Sequence, residues 1–304
     1  MTHKGCRLIG FVLLGLCEAW GMQECREIVE RGRRAYESSQ FQISAAEFER
    51  ALDICPQRAQ AGLALGKAQL MAGQVEASIE SLRRITKLDP NNIEAHKVLG
   101  DALYLAGKEA EAERSLKAGL ALDPTFEPAL YALGRIYYQQ NRFPEAVRQF
   151  QQLIEQDPKN YRAHDNLGLC YDAMYRDSDA LRHFLTALEL VYKDHPEYDW
   201  AHANLADFFL KRNEYEKAFQ MAAEAARRNP NSARNFFLTG KALANLNRDK
   251  LSLRWLKRAT ELDSKYREAH YLLARAYQKL GNQEDAEREF AKFRELAAKP
   301  VSRR

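Results

Sequence analysis

The sequence predicts an all-α fold of consecutive helical hairpins, and three observations carry that prediction. Glycine recurs at one constant spacing through the first half of the chain, at Gly32, Gly66, Gly100, Gly134 and Gly168. Proline keeps the same step, at Pro56, Pro90, Pro124 and Pro158. Apolar residues between these positions recur at spacings of three and four, which is the pattern of helices that bury one face. A fixed period of this length indicates stacked structural repeats.

One complete repeat runs from Glu127 to Asn160. The buried face of its first helix is formed by Leu130, Leu133, Ile136 and Tyr137. After a turn at Asn141 and Arg142, the second helix buries Ala146, Val147, Phe150, Leu153 and Ile154. Asp157 and Pro158 close the unit, because proline cannot continue a helix. Two helices of this length cannot bury both apolar faces against each other alone, so each hairpin needs neighbours.

The recurring positions of this repeat are occupied by Leu133, Gly134, Tyr137, Ala146, Phe150 and Pro158. With its period of about 34 residues, this set resembles the tetratricopeptide repeat, a family of stacked helical hairpins. The resemblance covers residues 25 to about 298. It implies a right-handed superhelical solenoid of about eight tetratricopeptide hairpins, and an activity that is binding rather than catalysis.

Repeats one to four occupy residues 25–58, 59–92, 93–126 and 127–160, and repeat five begins at Tyr161. The period then breaks, because Tyr192 stands where proline is due and the next small residue, Ala206, comes later than the step from Gly168 requires. Residues 192–198 are therefore an insertion of about one helical turn, in the second helix or its loop. It forms either a special contact on the binding face or a neutral loop. Residues 22–198 thus hold repeats one to five, 199–298 hold repeats six to eight, and 299–304 are a polar tail.

Residues 1–21 have the pattern of a secretory signal peptide. Lys4 and Arg7 precede the apolar stretch Leu8 to Cys17, and Ala19-Trp20-Gly21 is a small-x-small cleavage site. Ten residues of helix rise only about 15 Å, half of the roughly 30 Å of a bilayer core, which disfavours a spanning helix. We expect export to the periplasm or cell envelope of a bacterium. The alternatives are a lipoprotein modified at Cys17, although Leu16 is larger than such sites normally carry, and an uncleaved anchor.

Three cysteines remain after cleavage: Cys25, Cys55 and Cys170. Cys25 opens the first helix of repeat one and Cys55 closes the second, so antiparallel packing brings them side by side. We predict a disulfide between them, which would protect the first repeat from fraying. The alternative is two unpaired cysteines. Cys170 lies on an apolar helix face and is predicted to be a small core residue.

The composition and the motifs give no indication of catalysis, cofactors or nucleic-acid binding. The net charge is +4 with both signs interspersed, and no block of Lys and Arg is present. Four histidines share one repeat position, at His96, His164, His202 and His270. Equivalent positions lie at least about 8 to 10 Å apart, so one ion cannot bind all of them and no metal site is predicted. The sequence also lacks a serine elbow, a phosphate-binding glycine loop and a CxxC pair. The chain is therefore predicted not to be an enzyme.

The resemblance implies that first helices line a concave face, with ligand contacts at positions two, five, nine, twelve and thirteen of each repeat. In the N-terminal half these positions hold Arg33, Tyr36, Lys67, Lys97, Asp101, Tyr104, Tyr131, Arg135, Tyr138 and Arg162. In the C-terminal half they hold Asp165, Asp172, Trp200, Asp207, Lys211, Phe237, Lys241, Tyr271 and Arg275. Tyr, Trp and Arg often anchor interfaces. We expect repeats one to four to bind an extended or helical peptide with acidic groups; the alternative is that these side chains only solvate a groove.

The carboxylate clamp by which some members of this family bind chaperone termini is incomplete here. Asp101 stands where asparagine should follow Lys97, and Asp165 and Leu169 replace the residues expected beside Asn204.

The predicted function is a non-enzymatic scaffold that binds other proteins or peptides in the cell envelope. The alternative is a regulatory or substrate-recruiting subunit of a separately encoded glycosyl transferase or peptidase. The mature chain is expected to have no membrane span, and its last repeat, which has no added solvating helix, could pair with a second copy.

Overall fold

The computed structural model describes residues 23–55 and 58–298, and within these ranges every regular element is an α-helix. The predicted signal segment with Cys17, Pro56 and the tail 299–304 lie outside the described residues. Residues 23–37 form α1. The helices that follow are α2 Phe41–Ile54, α3 Arg58–Met71, α4 Val75–Leu88, α5 Ile93–Leu105, α6 Glu109–Leu122, α7 Glu127–Gln139, α8 Phe143–Gln156, α9 Tyr161–Ala173, α10 Asp177–Asp194, α11 Trp200–Lys211, α12 Tyr215–Arg228, α13 Ala233–Asn245, α14 Asp249–Leu262, α15 Arg267–Lys279 and α16 Gln283–Ala298.

Within each part of the array, helices that follow one another in the chain pack together, as in α3 with α4, α9 with α10 and α13 with α14. We call the odd-numbered helices A helices and the even-numbered ones B helices. Successive A helices contact each other in two separate series, α3 with α5 and α9 with α11, α13 and α15. We call the surface of the A helices the A face, and we describe it separately for the two units defined below. Within the described residues, the predicted all-α array of consecutive helical hairpins is confirmed. The chain divides into unit 1, which ends at Ile136, and unit 2, which begins at Tyr137, and each is described separately.

The periodic glycines lie where the two helices of a hairpin come closest. A Cβ atom added to Gly66 would lie 2.6 Å from Cγ of Leu82, and one added to Gly168 would lie 2.5 Å from Cδ1 of Phe184. Leu82 and Phe184 are fully buried. Because a real Cβ does not approach another carbon so closely, only glycine lets these side chains fill the crossing.

Each turn between an A and a B helix contains one residue in the left-handed conformation. These residues are Ser39, Gly73, Gly107, Asn141, Tyr175, Asn213, Asn247 and Gly281. They follow the same constant step as the periodic glycines, except that the interval from Tyr175 to Asn213 is longer by about one helical turn. Gly and Asn adopt this conformation at low cost, which explains why they dominate the turns.

The first hairpin is closed by a disulfide between Cys25 and Cys55. Cys55 is buried, and Ile28, Ala51 and Ala61 form a small core around it. Cys170 is a buried free thiol, and burial raises its pKa to about 12. Its thiolate is therefore scarce near neutral pH, in keeping with a core residue.

The insertion after repeat five lengthens a helix. Helix α10 has 18 residues, whereas α8 and α12 have 14 each. The extra turn buries Val191 against Ala187 and Ala201, with Tyr161 and Tyr198 packed against this cluster. Among the described residues, no helix combines the length and apolar character needed to cross a bilayer.

Candidate functional site

The lysines and arginines predicted on the A face of repeats one to three are already paired with carboxylates. Nζ of Lys67 lies 2.6 Å from Oε1 of Glu94, across to the next A helix. Nζ of Lys97 lies 2.6 Å from Oδ2 of Asp101 on its own helix. Arg33 forms ion pairs with both Glu30 and Glu37. A ligand would have to compete with these carboxylates for each cation.

The tyrosines predicted on this face in unit 1 are partly buried, whereas its remaining cation is exposed. Tyr36 packs edge-on against Phe41 with ring centroids 5.3 Å apart, and Tyr131 is half-buried. Burial raises the pKa of Tyr104, and the nearby positive charge of Arg135 opposes that effect. Arg135 itself is exposed and forms no ion pair in the described part of the chain. It is therefore the most available cation of this set.

Among the predicted residues that lie in unit 2 are Tyr138, Arg162 and Trp200. Tyr138 packs against Phe143 with centroids 5.6 Å apart, and burial raises its pKa. The guanidinium carbon of Arg162 lies 5.7 Å from the ring centre of Tyr161. Trp200 is 53% exposed, which is unusual for so large an apolar ring. Of the three, Trp200 presents the most apolar surface to a partner.

Asp172 and Asp207 take part in a network of ion pairs that links repeats five and six. Nζ of Lys211 lies 2.9 Å from a carboxylate oxygen of each of them. Nη1 of Arg212 lies 2.9 Å from Asp172, and its other terminal nitrogen pairs with Asp177. The network joins α9 and α11, so its role is to fix neighbouring A helices.

Asp165 was predicted as a contact residue, yet it is only 1% exposed. Its carboxylate accepts hydrogen bonds from the hydroxyl of Tyr198 at 2.8 Å and from Nδ2 of Asn204 at 2.9 Å. Burial raises its pKa to about 6, although these two donors and the positive charge of Arg234 oppose the shift. The side chain is therefore a structural centre beneath the face.

Arg234 is linked to Asp165 through Asn204. It is not among the face residues predicted from the sequence. Its Nη2 donates to Oδ1 of Asn204 at 2.9 Å, and its guanidinium carbon lies 5.1 Å from the ring centre of Trp200. It occupies the second position of repeat seven, one full repeat after Trp200, so the position rule that selected Trp200 could have found it.

Repeats seven and eight place a cation on an aromatic ring at the same two positions. Nζ of Lys241 lies 6.0 Å from the ring centre of Phe237, and Cζ of Arg275 lies 6.0 Å from that of Tyr271. Phe237 also packs on Tyr266, with centroids 4.8 Å apart. In the described part of the chain, Arg234, Lys241 and Arg275 form no ion pair. We call Trp200, Arg234, Phe237, Lys241, Tyr271 and Arg275 the repeat 6–8 face.

The four periodic histidines lie at the start of A helices. Nε2 of His96 lies 2.9 Å from the carbonyl oxygen of Pro90, and Nε2 of His164 lies 3.1 Å from that of Pro158. His270 contacts the carbonyl of Ser264 in the same way. The role that these three share is to tie each A helix to the loop before it. Among the described residues, no group of three or more His, Cys, Asp or Glu side chains could hold a metal ion.

Comparisons with known proteins point to one family. A tetratricopeptide repeat model matches residues 29–93, 63–125 and 204–266, and two other models of this repeat match residues 103–169 and 267–292. A tetratricopeptide repeat protein from Parabacteroides merdae is 16% identical, with a TM-score of 0.69 over 84% of this chain and 99% of that one. The protein pilF of Pseudomonas aeruginosa is 22% identical, with a TM-score of 0.58 over 73% and 96%.

The MamA protein is 25% identical, with a TM-score of 0.51 over 56% of this chain and 93% of that chain. No protein with curated annotation matches. Likenesses at such low identity concern the fold.

Proposed function

Since the chain belongs to the tetratricopeptide repeat family, whose repeats indicate a scaffold for protein–protein interaction, we propose that it binds an acidic peptide segment on its A face. The fold is typically non-catalytic. The main support is the repeat 6–8 face, where three cationic side chains lie over aromatic rings and form no ion pair with a carboxylate in the described part of the chain. These cations are Arg234, Lys241 and Arg275. Arg135 is a candidate contact on unit 1 taken by itself, separate from the repeat 6–8 face. The other cations predicted in repeats one to three would take a lesser part.

The difference between the two kinds of cation is energetic. A ring beneath an exposed cation contributes about 0.5 to 1 kcal/mol and uses none of its N–H donors. Lys241 and Arg275 can therefore bind a partner carboxylate while they stay on Phe237 and Tyr271. Lys67 and Lys97 would first have to leave Glu94 and Asp101, so a ligand would gain little from them.

The arrangement also suggests a spacing for the acidic residues of the partner. Lys241 and Arg275 occupy equivalent positions on α13 and α15, which contact each other. Packed helices lie about 8 to 10 Å apart, and an extended chain advances about 3.3 Å per residue. An extended segment that crosses the two helices would therefore present carboxylates at positions i and i+3 to these cations. Exposed Trp200 would accept an apolar side chain of the same segment.

The test is fluorescence anisotropy with a labelled peptide that contains Glu-x-x-Glu beside aliphatic residues. Lys241→Glu combined with Arg275→Glu should weaken binding at least tenfold, and added salt should weaken wild-type binding, because charged contacts are screened. The matched control is Lys250→Glu with Lys257→Glu, exposed positions on B helix α14 that change the net charge equally. Equal loss in both double variants would overturn the proposed face.

We also propose that the chain is an exported scaffold of a bacterial cell envelope. The support is the disulfide between Cys25 and Cys55, because structural disulfides persist in oxidising compartments. Affinity purification from the envelope fraction tests this and distinguishes a scaffold from a recruiting subunit of a separate glycosyl transferase or peptidase. Recovery of the protein only in the cytosolic fraction would contradict export. Self-association through α16 stays a prediction that light scattering can check.

A further inference from the structure

His164 on α9 and His183 on α10 face each other through the same ring nitrogen. Their Nδ1 atoms lie 3.0 Å apart, and the ring centroids are separated by 5.2 Å. His183 also stacks on Tyr171, with centroids 5.5 Å apart and the planes inclined by 23°. Each ring has a second contact, His164 with the carbonyl of Pro158 and His183 with the ring of Tyr171. These contacts hold the two Nδ1 atoms close together between α9 and α10.

The second contact of His164 fixes which of its nitrogens carries the proton. Its Nε2 lies 3.1 Å from the carbonyl oxygen of Pro158, which can only accept a hydrogen bond. Nε2 must therefore carry the proton, and Nδ1 presents its lone pair towards His183. Histidines that bind metals commonly donate their other nitrogen to a carbonyl in this way.

The other repeats show that this pairing is particular to repeat five. His270 faces the carboxylate of Glu289 at 2.6 Å, and Nδ1 of His202 is buried without a partner in the described part of the chain. Ser115, at the position of His183 in repeat three, instead donates to the carbonyl of His96. Only repeat five therefore brings two imidazoles together at this position, among the described residues.

We propose that His164 and His183 form a binding site for a borderline divalent metal ion of the first transition row, with Cu²⁺ the tightest binder. Two imidazole nitrogens at about 2.0 to 2.1 Å from one ion are about 2.9 Å apart at a right angle and about 3.4 Å apart at a tetrahedral angle. The observed 3.0 Å lies within that range. Imidazole suits Cu²⁺, Ni²⁺ and Zn²⁺, and divalent affinity is highest for Cu²⁺.

The contact between the two rings fixes the proton of His183 as well. Nδ1 of His164 presents a lone pair 3.0 Å from Nδ1 of His183, so Nδ1 of His183 must carry a proton and donate it to His164. A shift of that proton to Nε2 of His183 frees the second lone pair for an ion without net proton release.

The surroundings limit the site to two protein ligands. The nearby charged groups are Asp157, Asp179 and Arg182, and Asp179 accepts hydrogen bonds from Arg176 and Arg182. No third His, Cys, Asp or Glu joins the pair within the described ranges. His183 is only half-buried, so water can complete the coordination of the ion.

The test is calorimetric titration of the full chain with Cu²⁺ at pH 7, combined with electron paramagnetic resonance of the bound ion. His183→Gln should bind one equivalent fewer than the wild type and lose the signal of one ion bound by two nitrogens. His164→Gln should do the same. His96→Gln is the matched control, because it removes an imidazole at the same repeat position that faces no second histidine.

Circular dichroism of each variant identifies any loss of fold, and His183→Gln, at a half-buried position, is the decisive variant if His164→Gln unfolds. Loss of one equivalent in His183→Gln and not in His96→Gln supports the site. Identical titrations of the wild type and His183→Gln overturn it. The result is independent of peptide binding by the repeat 6–8 face, since none of its residues is changed.

Discussion

The carboxylate of Asp165 lies 2.9 Å from Nδ2 of Asn204, and the two residues join the A helices of repeats five and six. The hydroxyl of Tyr198, which the insertion supplies, donates to the same carboxylate. On its other side Asn204 accepts from Arg234 of repeat seven. Asp165 of repeat five is thus linked through Asn204 of repeat six to Arg234 of repeat seven. Because Asp165 is buried, its ionisation affects the stability of these three repeats.

Asp165 should make stability depend on pH between about 4 and 6. Its pKa is about 6 in the folded chain and 3.8 ordinarily, so in this window the folded state holds a proton that the unfolded state has lost. The free energy of unfolding contributed by this group therefore falls as pH rises through the window and is constant above it. The difference is roughly 3 kcal/mol at most, because each pKa unit is worth about 1.4 kcal/mol. Urea denaturation at pH 4.5 and pH 7 measures it.

Asp165→Asn is the control for that prediction. The amide is uncharged at both pH values and keeps an oxygen that can accept from Tyr198 or Asn204. The variant should therefore lose the part of the pH dependence that Asp165 causes, while slopes from other groups remain in both proteins. If both proteins show the same change between pH 4.5 and pH 7, Asp165 does not titrate in this window.

Tyr198→Phe should destabilise the chain more at pH 7 than at pH 4.5. The substitution removes the hydroxyl that donates to Asp165 and leaves the ring in place. A hydrogen bond to a charged group is worth about 1.5 to 3 kcal/mol, and one between neutral groups about 0.5 to 1.5 kcal/mol. The cost should therefore shrink once Asp165 is protonated. The two urea midpoints relative to wild type give the comparison, and an equal cost at both pH values would contradict it.

Two buried glycines on facing helices of repeat three should respond oppositely to alanine. A Cβ at Gly100 would lie 2.7 Å from Cγ of Leu116, whereas a Cβ at Gly119 would have no neighbour closer than the 3.4 Å to Cβ of His96. Gly100→Ala should cost about 1 to 3 kcal/mol through overpacking, less any gain in helix propensity. Gly119→Ala should be neutral or gain up to about 1 kcal/mol.

Thermal unfolding of both variants, compared with the wild type, is the measurement. The two substitutions are identical in chemistry, so helix propensity alone predicts the same sign for both. A rise in midpoint for Gly100→Ala would show that α5 and α6 do not cross as closely as described.

The sequence was sufficient to predict the hairpins because their determinants are local. The glycine at each crossing, the left-handed turn residue and the closing proline all act within one repeat, so their spacing reveals the register. The insertion was ambiguous, because a proline that arrives late is compatible with a longer helix or a longer loop. The structure shows a longer helix, because the extra turn of α10 packs Val191 against Ala187 and Ala201.

The availability of the face residues could not be predicted in the same way. The position rule selects residues on A helices, but the pairing of Lys67 with Glu94 joins side chains 27 residues apart in neighbouring repeats. Asp165 satisfies the rule too, yet Tyr198 and Asn204 cover it. Whether a side chain on a repeat face is free to bind therefore depends on the particular partners that stand near it, which lie in the next repeat for Lys67 and on the same helix for Lys97.

The disulfide between Cys25 and Cys55, the pair that the sequence predicts, should account for much of the stability of the first repeat. The two cysteines are 30 residues apart, and closing a loop of that length is worth roughly 3 to 4 kcal/mol on the chain-entropy model. Cys25→Ser with Cys55→Ser should therefore lower the urea midpoint and speed proteolysis near α1. Cys170→Ala, which removes the buried free thiol, is the control.

The mass of the intact protein shows whether this disulfide forms. Protein from an oxidising compartment should gain about two daltons on reduction, in the wild type and in Cys170→Ala, since two thiols form when one disulfide is reduced. An unchanged mass in both proteins would show that the bond does not form.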